Sequence, residues 1–235
     1  MRMRALSVSV LSVRTAGLAL AAAALALSTP AGSAQAADAG TVIVVDYANP
    51  GLTPAHWVLR ISPDGSGHFR SERGNAQVDV AEGFEPANVD RDIRVSAEFA
   101  GHVFQLAHRH NLFNAPCESH LKVAFQGWKK VSYSGPEGSG ACTFNYSKDK
   151  EMQWLGESMV ATAGTIVEGA RLETLLQHDR LGLDREMEFM MDAAKDGRLM
   201  EFSTIREILE RLAADPEVLD RVRKRARTLL TRADG

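Results

Sequence analysis

Apolar positions recur at two different periods along this chain, and the change between them divides it. Thr41 to Tyr47, Thr-Val-Ile-Val-Val-Asp-Tyr, is short and β-branched, which predicts a strand. His56 to Ile61 alternates strictly, with Trp57, Leu59 and Ile61 against His56, Val58 and Arg60, and predicts a second. The turn chemistry of Pro63 and Asp64-Gly65 follows, so His68 to Glu72 is expected to return as the partner strand of a hairpin. Arg73 to Asn88 is polar and loop-like, with a short strand expected at Gln77 to Val80; Val89 to Val95 predicts a further one.

At Ser96 the period becomes helical. Ser96 can cap a helix in which Phe99, Val103, Leu106 and His110 recur on one face, and Asn111 tolerates the left-handed conformation that ends it. Leu121 to Phe125 and Lys129 to Ser134 read as two strands joined across Gln126-Gly127-Trp128. Gly-Pro-Glu-Gly-Ser-Gly, Gly135 to Gly140, reads as a flexible loop leading to a last strand, Cys142 to Tyr146. From Asp149 the pattern is helical throughout. Helices are expected over Lys150 to His178, Asp184 to Lys195 and Ser203 to Ala213, and a fourth is opened by Asp215-Pro216-Glu217 as cap and N1 proline. Gly156, Gly164 and Gly169 inside the first of these predict a kinked or tightly packed helix. The fold class expected is therefore α+β: an antiparallel sheet built from hairpins with one packed helix, followed by an all-helical C-terminal region.

The N-terminus changes the picture of where this fold works. Arg2, Arg4 and Arg14 precede the apolar run Gly17 to Leu27 without an intervening acid, and Ala34-Gln35-Ala36 follows as a small-x-small cleavage site. The run is shorter than the about 20 apolar residues a bilayer span needs. The expectation is a signal peptide over residues 1–37, cleavage near Ala36 or Ala37, a periplasmic or extracellular product without a membrane span, an α+β domain over 38–148 and helical hairpins over 149–235. Three of the 27 basic residues leave with the leader, so 24 face 30 acids, a net charge of −6. That balance argues against nucleic-acid binding, which rests on phosphate neutralisation.

The densest chemistry in the chain is His108 to His120, which offers His108, His110, Cys117 and His120 as a metal set. On a helix His108 and His110 point roughly 200° apart, however, and no His-x-x-x-His pair exists in the chain. Cys117 also has a competing partner. In an oxidising compartment two thiols in one chain pair, so Cys117 and Cys142, 25 positions apart, are expected to form a disulfide rather than hold zinc.

Other features have plain structural explanations. Gly135-x-x-Gly138-x-Gly140 lies between strands, whereas a phosphate cradle must open a helix. The final helix sets Val218, Leu219, Val222, Ala226, Leu229 and Leu230 against Arg221, Arg223, Lys224, Arg225 and Arg227, with Glu217 to Arg221 and Asp220 to Lys224 as supporting pairs. Met187, Met190, Met191 and Met200, with Phe189 and Phe202, are core residues at helical spacing or an adaptable docking surface. Trp57, Trp128 and Trp154 read as core or sheet-face residues. Asp90 and Asp92 share a strand face. Gly-x-Ser-x-Gly and His-Glu-x-x-His are both absent, and no catalytic residue and no cofactor are assigned.

Leu59-x-Ile-x-x-Asp-Gly-x-Gly-x-Phe69, the helix end Phe104 to Phe113, Lys122-Val-Ala-Phe-Gln-Gly and Val131-Ser-Tyr-Ser-Gly together resemble a family of small exported bacterial α+β domains of unknown function. The resemblance covers about Val42 to Glu173 and implies a cell-envelope setting; it carries no substrate, cofactor or catalytic residue. The function expected is a non-enzymatic binding or structural module of the bacterial cell envelope, docking another envelope protein through its C-terminal helices. The alternative is a hydrolase or metal-dependent enzyme whose site is assembled from distant residues.

Overall fold

The alternation read along Thr41–Tyr47 and His56–Ile61 builds one sheet face. In the computed structural model, which describes residues 40–74 and 88–233, Ile43, Val45, Tyr47, Trp57, Leu59 and Ile61 are all buried on it. The leader and the strand expected at Gln77 to Val80 lie outside the described residues. β1 (Val42–Ala48), β2 (His56–Ile61), β3 (Ser66–Glu72) and β4 (Asp90–Arg94) form an antiparallel meander, and β5 (Trp128–Gly135) and β6 (Gly138–Phe144) add a hairpin to the other side of β1. The order is β4-β3-β2-β1-β5-β6. The β2–β3 turn uses Gly65 at φ 80°, a conformation open to glycine, and Asp64 Oδ1 accepts from the Ser66 amide and hydroxyl.

Two helices cover the apolar face. α1 (Ala97–Arg109) is capped as expected, Ser96 Oγ accepting from Phe99 N at 3.1 Å. It unwinds through Asn111, Leu112 and Phe113, all at positive φ, and burial of the Phe113 ring in the core compensates the strain. α2 (Lys150–His178) begins at an Asp149 cap and runs unbroken for 29 residues. Its earlier turns pack on the sheet through Met152, Leu155, Met159 and Ile166. Its last turns, through Leu172, Leu175 and Leu176, enter a second core with α3 (Gly182–Lys195), α4 (Arg206–Ala214) and α5 (Asp220–Ala233). Sharing α2 between the cores joins the described residues in one compact unit.

The glycines of α2 mark close packing. A Cβ at Gly156 would lie 2.7 Å from Lys129 Cδ and 2.9 Å from the Phe144 ring, and one at Gly169 would collide with Ile205. Thr165 Oγ1 ties the helix to the Met200 backbone, donating to its carbonyl at 2.6 Å and accepting from its amide at 3.0 Å.

Four expectations are corrected. Leu121 to Phe125 is not a strand: Val123 N turns back onto Leu121 O, and Ala124 O and Gln126 N bond to the Asn145 side chain instead of a neighbouring strand. The glycine loop is mostly strand, because Gly135 pairs Gly138 and only Pro136-Glu137 turns; β6 therefore starts earlier and ends at Phe144. The segment from Ser203 opens as a 3-10 turn, Phe202–Ile205, before α4. Asp215-Pro216-Glu217 forms a turn, with Asp215 Oδ1 accepting from Glu217 N, and α5 begins only at Asp220.

Candidate functional site

The histidines and cysteines of the His108–His120 segment are drawn in different directions. Cys117 is bonded to Cys142, whose strand pairs it with Val131. His108 Nδ1 lies 3.1 Å from Glu137, and His110 Nε2 lies 2.9 Å from Glu151. His120 sits in an exposed turn at φ 54°. Among the described residues no cluster of three or more His, Cys, Asp or Glu has the arrangement to hold a metal ion.

Beyond Cys117 the chain is held by a buried polar hub. Lys129, on the core-facing side of β5 and 2% exposed, donates from Nζ to Gly127 O at 3.1 Å and Asn145 O at 2.9 Å. Burial pushes its amine below the ordinary lysine range, against the opposing pull of Glu157 and Glu118. Partial burial works to raise the Glu118 carboxyl, but the backbone amides of Asn145 and His120 outweigh it and hold it below the usual range. Tyr47 Oη donates to Gln126 O. The hub fixes the backbone of the loop from the inside. Leu121, Phe125 and Trp128 stay about half exposed, with the Phe125 and Trp128 rings 6.0 Å apart.

The two edges of the sheet are treated differently. Along β6 runs the stapled segment: Asn114 Nδ2 donates to Ser139 O at 2.8 Å, Ser119 N to Tyr146 O at 2.9 Å, and the disulfide clamps the middle. A Cβ at Gly140 would strike Asn114 and Leu112, so the cover is tight. At β4 the ladder bonds Ser71 N to Val89 O and Val95 N to Gly65 O set the parity. Odd-numbered residues of β4 turn their backbone toward β3. The N–H and C=O groups of Asp90, Asp92 and Arg94 therefore face outward, and among the described residues none has a backbone partner there.

That outer edge borders a cleft of about 800 Å³. Its opposite wall is the 3-10 turn and the start of α4, and its apolar floor includes Ile93, Val95, Ile205 and Ile208. The walls are braced. Arg91 grips Glu173 through two bonds of 3.1 and 2.6 Å, and Glu201 accepts from the Ser96 amide at 2.7 Å and its hydroxyl at 3.1 Å. Arg94 Nη1 donates to Asp64 O at 2.9 Å. On the open face His68 stands between Asp90 and Asp92, with 2.9 Å from Nε2 to the first and 2.9 Å from Nδ1 to the second. No model of a protein family matches the chain, and no curated protein matches it.

The spacing of Asp90 and Asp92 gives their common face but not the edge they sit on, because strand order is a tertiary property. Lys129 is the functional residue that composition and motif leave unmarked; its signal is the alternation of β5, which places it in phase with Val131 and Tyr133. The remaining features are structural. Met187, Met190 and Phe202 are core, and Phe189 carries Arg198 at 5.7 Å over its ring. Trp57 is buried against Tyr47 at 4.9 Å, and Trp154 stacks with His102 at 4.3 Å. The basic helix spends its charge internally: Lys224 pairs Asp220 as expected, while Arg221 and Arg225 both reach Asp184 on α3, at 2.5 and 2.7 Å. Hydrogen bonding from Arg221 is the main reason the Asp184 carboxyl is held below its usual range. Glu217 pairs with Arg180 rather than Arg221. Among the described residues no helix is long and apolar enough to cross a membrane.

Proposed function

We propose that this protein is an exported, non-enzymatic binding module of the bacterial cell envelope, and that it captures an extended polypeptide segment as a seventh strand on β4. The observation that carries this reading is the row of outward-facing backbone groups at Asp90, Asp92 and Arg94 along a cleft of about 800 Å³. Unpaired sheet edges template the addition of another strand; β6 is covered by the stapled segment, whereas β4 is a short strand carrying charged side chains. A groove between an edge strand and a helix admits a single extended peptide and keeps a second sheet out. Export is supported by the leader-like N-terminus and by the disulfide, which oxidising compartments favour.

An enzyme draws less support from the side chains. His56, His68, His108 and His110 each have a ring nitrogen 2.9 to 3.1 Å from a carboxylate oxygen, and at His68 both are so engaged.

The test uses Asp92→Pro. The Asp92 N–H is outside the ladder with β3, so proline at this edge position is compatible with the sheet while removing a donor and blocking close approach. Peptides selected from a displayed random seven-residue library against the parent protein are expected to lose at least tenfold in affinity on the variant, whose melting temperature stays near the parent's. Failure to select any peptide, or equal binding of selected peptides to both proteins, would refute strand addition.

A further inference from the structure

Taking strand addition at β4 as given, we infer that the captured segment has a definite charge pattern and direction: acidic, apolar, basic, apolar, basic from its N-terminal end. Every strand pair in the sheet is antiparallel, and a seventh strand continuing that arrangement meets Arg94 first, then Ile93, Asp92, Arg91 and Asp90. Directly opposed residues on paired strands stand on the same face, within about 5.5 Å of each other. The residues opposite Asp92 and Asp90 therefore lie on the open face beside two carboxylates that are 95% and 63% exposed. The residue opposite Arg94 lies beside a guanidinium.

Residues at the intervening positions turn to the other face. Opposite Ile93 lies the apolar floor shared with Val95, Ile205 and Ile208. Opposite Arg91 lies an arginine already committed to Glu173 through both of its terminal nitrogens, so this position meets a neutralised pair and accepts an apolar side chain. His68 sits behind Asp90 and Asp92 on β3 and leaves their outer sides toward the added strand. Opposite charges directly across strands favour pairing and like charges disfavour it, each by a modest amount. Three such positions acting together make the preference measurable.

The probes are three synthetic peptides flanked by Gly-Ser: Asp-Val-Lys-Val-Lys, its charge-exchanged form Lys-Val-Asp-Val-Asp, and its reversed form Lys-Val-Lys-Val-Asp. Titration into the full chain, followed by backbone amide shifts, is expected to show the first binding about tenfold or more tighter than the second and clearly tighter than the third. In a protein carrying Asp90→Lys, Asp92→Lys and Arg94→Asp the preference is expected to turn over in favour of Lys-Val-Asp-Val-Asp. Salt should narrow the difference in both proteins. Equal binding of the three peptides, all of it lost on Asp92→Pro, would overturn the charge pattern and leave strand addition standing. Tighter binding of the reversed peptide would overturn the antiparallel direction. If none of the three binds while library-selected peptides still depend on Asp92, the inferred pattern is wrong. If nothing binds at the β4 edge, the pattern and the proposed function fall together.

Discussion

A protein carrying Cys117→Ser and Cys142→Ser is expected to melt about 6 to 12 °C below the parent. The disulfide closes a loop of 25 positions, worth about 3 kcal/mol through the entropy of the unfolded chain, and each kcal/mol corresponds to about 2 to 4 °C in a domain of this size. The loss has a second consequence. Besides the disulfide, Asn114 to Ser119 is held along β6 and the residues just after it by two side-chain hydrogen bonds, Asn114 to Ser139 O and Asn145 N to Glu118, and one backbone bond, so cutting the covalent clamp loosens the shield and exposes strand backbone. The variant should therefore self-associate on warming below its melting point, while the parent stays monodisperse up to its own. Thermal unfolding without reductant, followed by light scattering, reads both effects. A melting temperature within 2 °C of the parent's would contradict the staple's role.

The second large effect is expected at Lys129. Lys129→Met keeps the length of the stem that fills the notch left by Gly156, and it removes only the amine. Two carbonyl oxygens, of Gly127 and Asn145, then lose a buried donor, at about 1 to 3 kcal/mol each before the relief from no longer burying a charge is subtracted. A net loss of about 2 kcal/mol is expected, with faster amide exchange at Gln126 in the loop the hub secures. The pH dependence gives a signature. Burial lowers the Lys129 pKa in the folded protein, so between that value and the ordinary lysine range the unfolded chain binds more protons, and folding stability rises with pH. The parent should gain on Lys129→Met as pH is raised toward the ordinary lysine range. Denaturant unfolding of both proteins across alkaline pH measures this; a gap that stays constant or narrows would show that the amine is not carrying the burial penalty.

Lys129 also shows how far the sequence could be read. Its phase along β5 announced an inward-facing lysine, but only the arrival of Asn145 and Gly127 explains how that charge is accommodated. Leu121 to Phe125 shows the opposite failure. Alternation there is as clean as in β2, yet a strand needs a partner with free backbone groups, and the outer edge of β6 is already taken by the disulfide-bonded segment. Alternation reports which side chains could share a face; it does not report whether a neighbouring strand exists. The Ser96 cap, the Pro63 to Gly65 turn and the Cys117–Cys142 pairing were legible because each is fixed by residues near in sequence or by the scarcity of thiols. The cleft was not, since it joins β4 to a turn more than 100 positions away, across the Ser96 to Glu201 contact.

Residue-resolved hydrogen exchange of the β4 amides, with and without the Asp-Val-Lys-Val-Lys peptide, tests the binding edge most directly. In the free protein the amides of Asp92 and Arg94, turned outward, should exchange much faster than those of Ile93 and Val95, which are turned toward β3; added peptide should slow Asp92 and Arg94 and leave Ile93 and Val95 unchanged. Slow exchange at Asp92 and Arg94 without peptide, or protection by peptide that appears anywhere except this edge, would contradict the account.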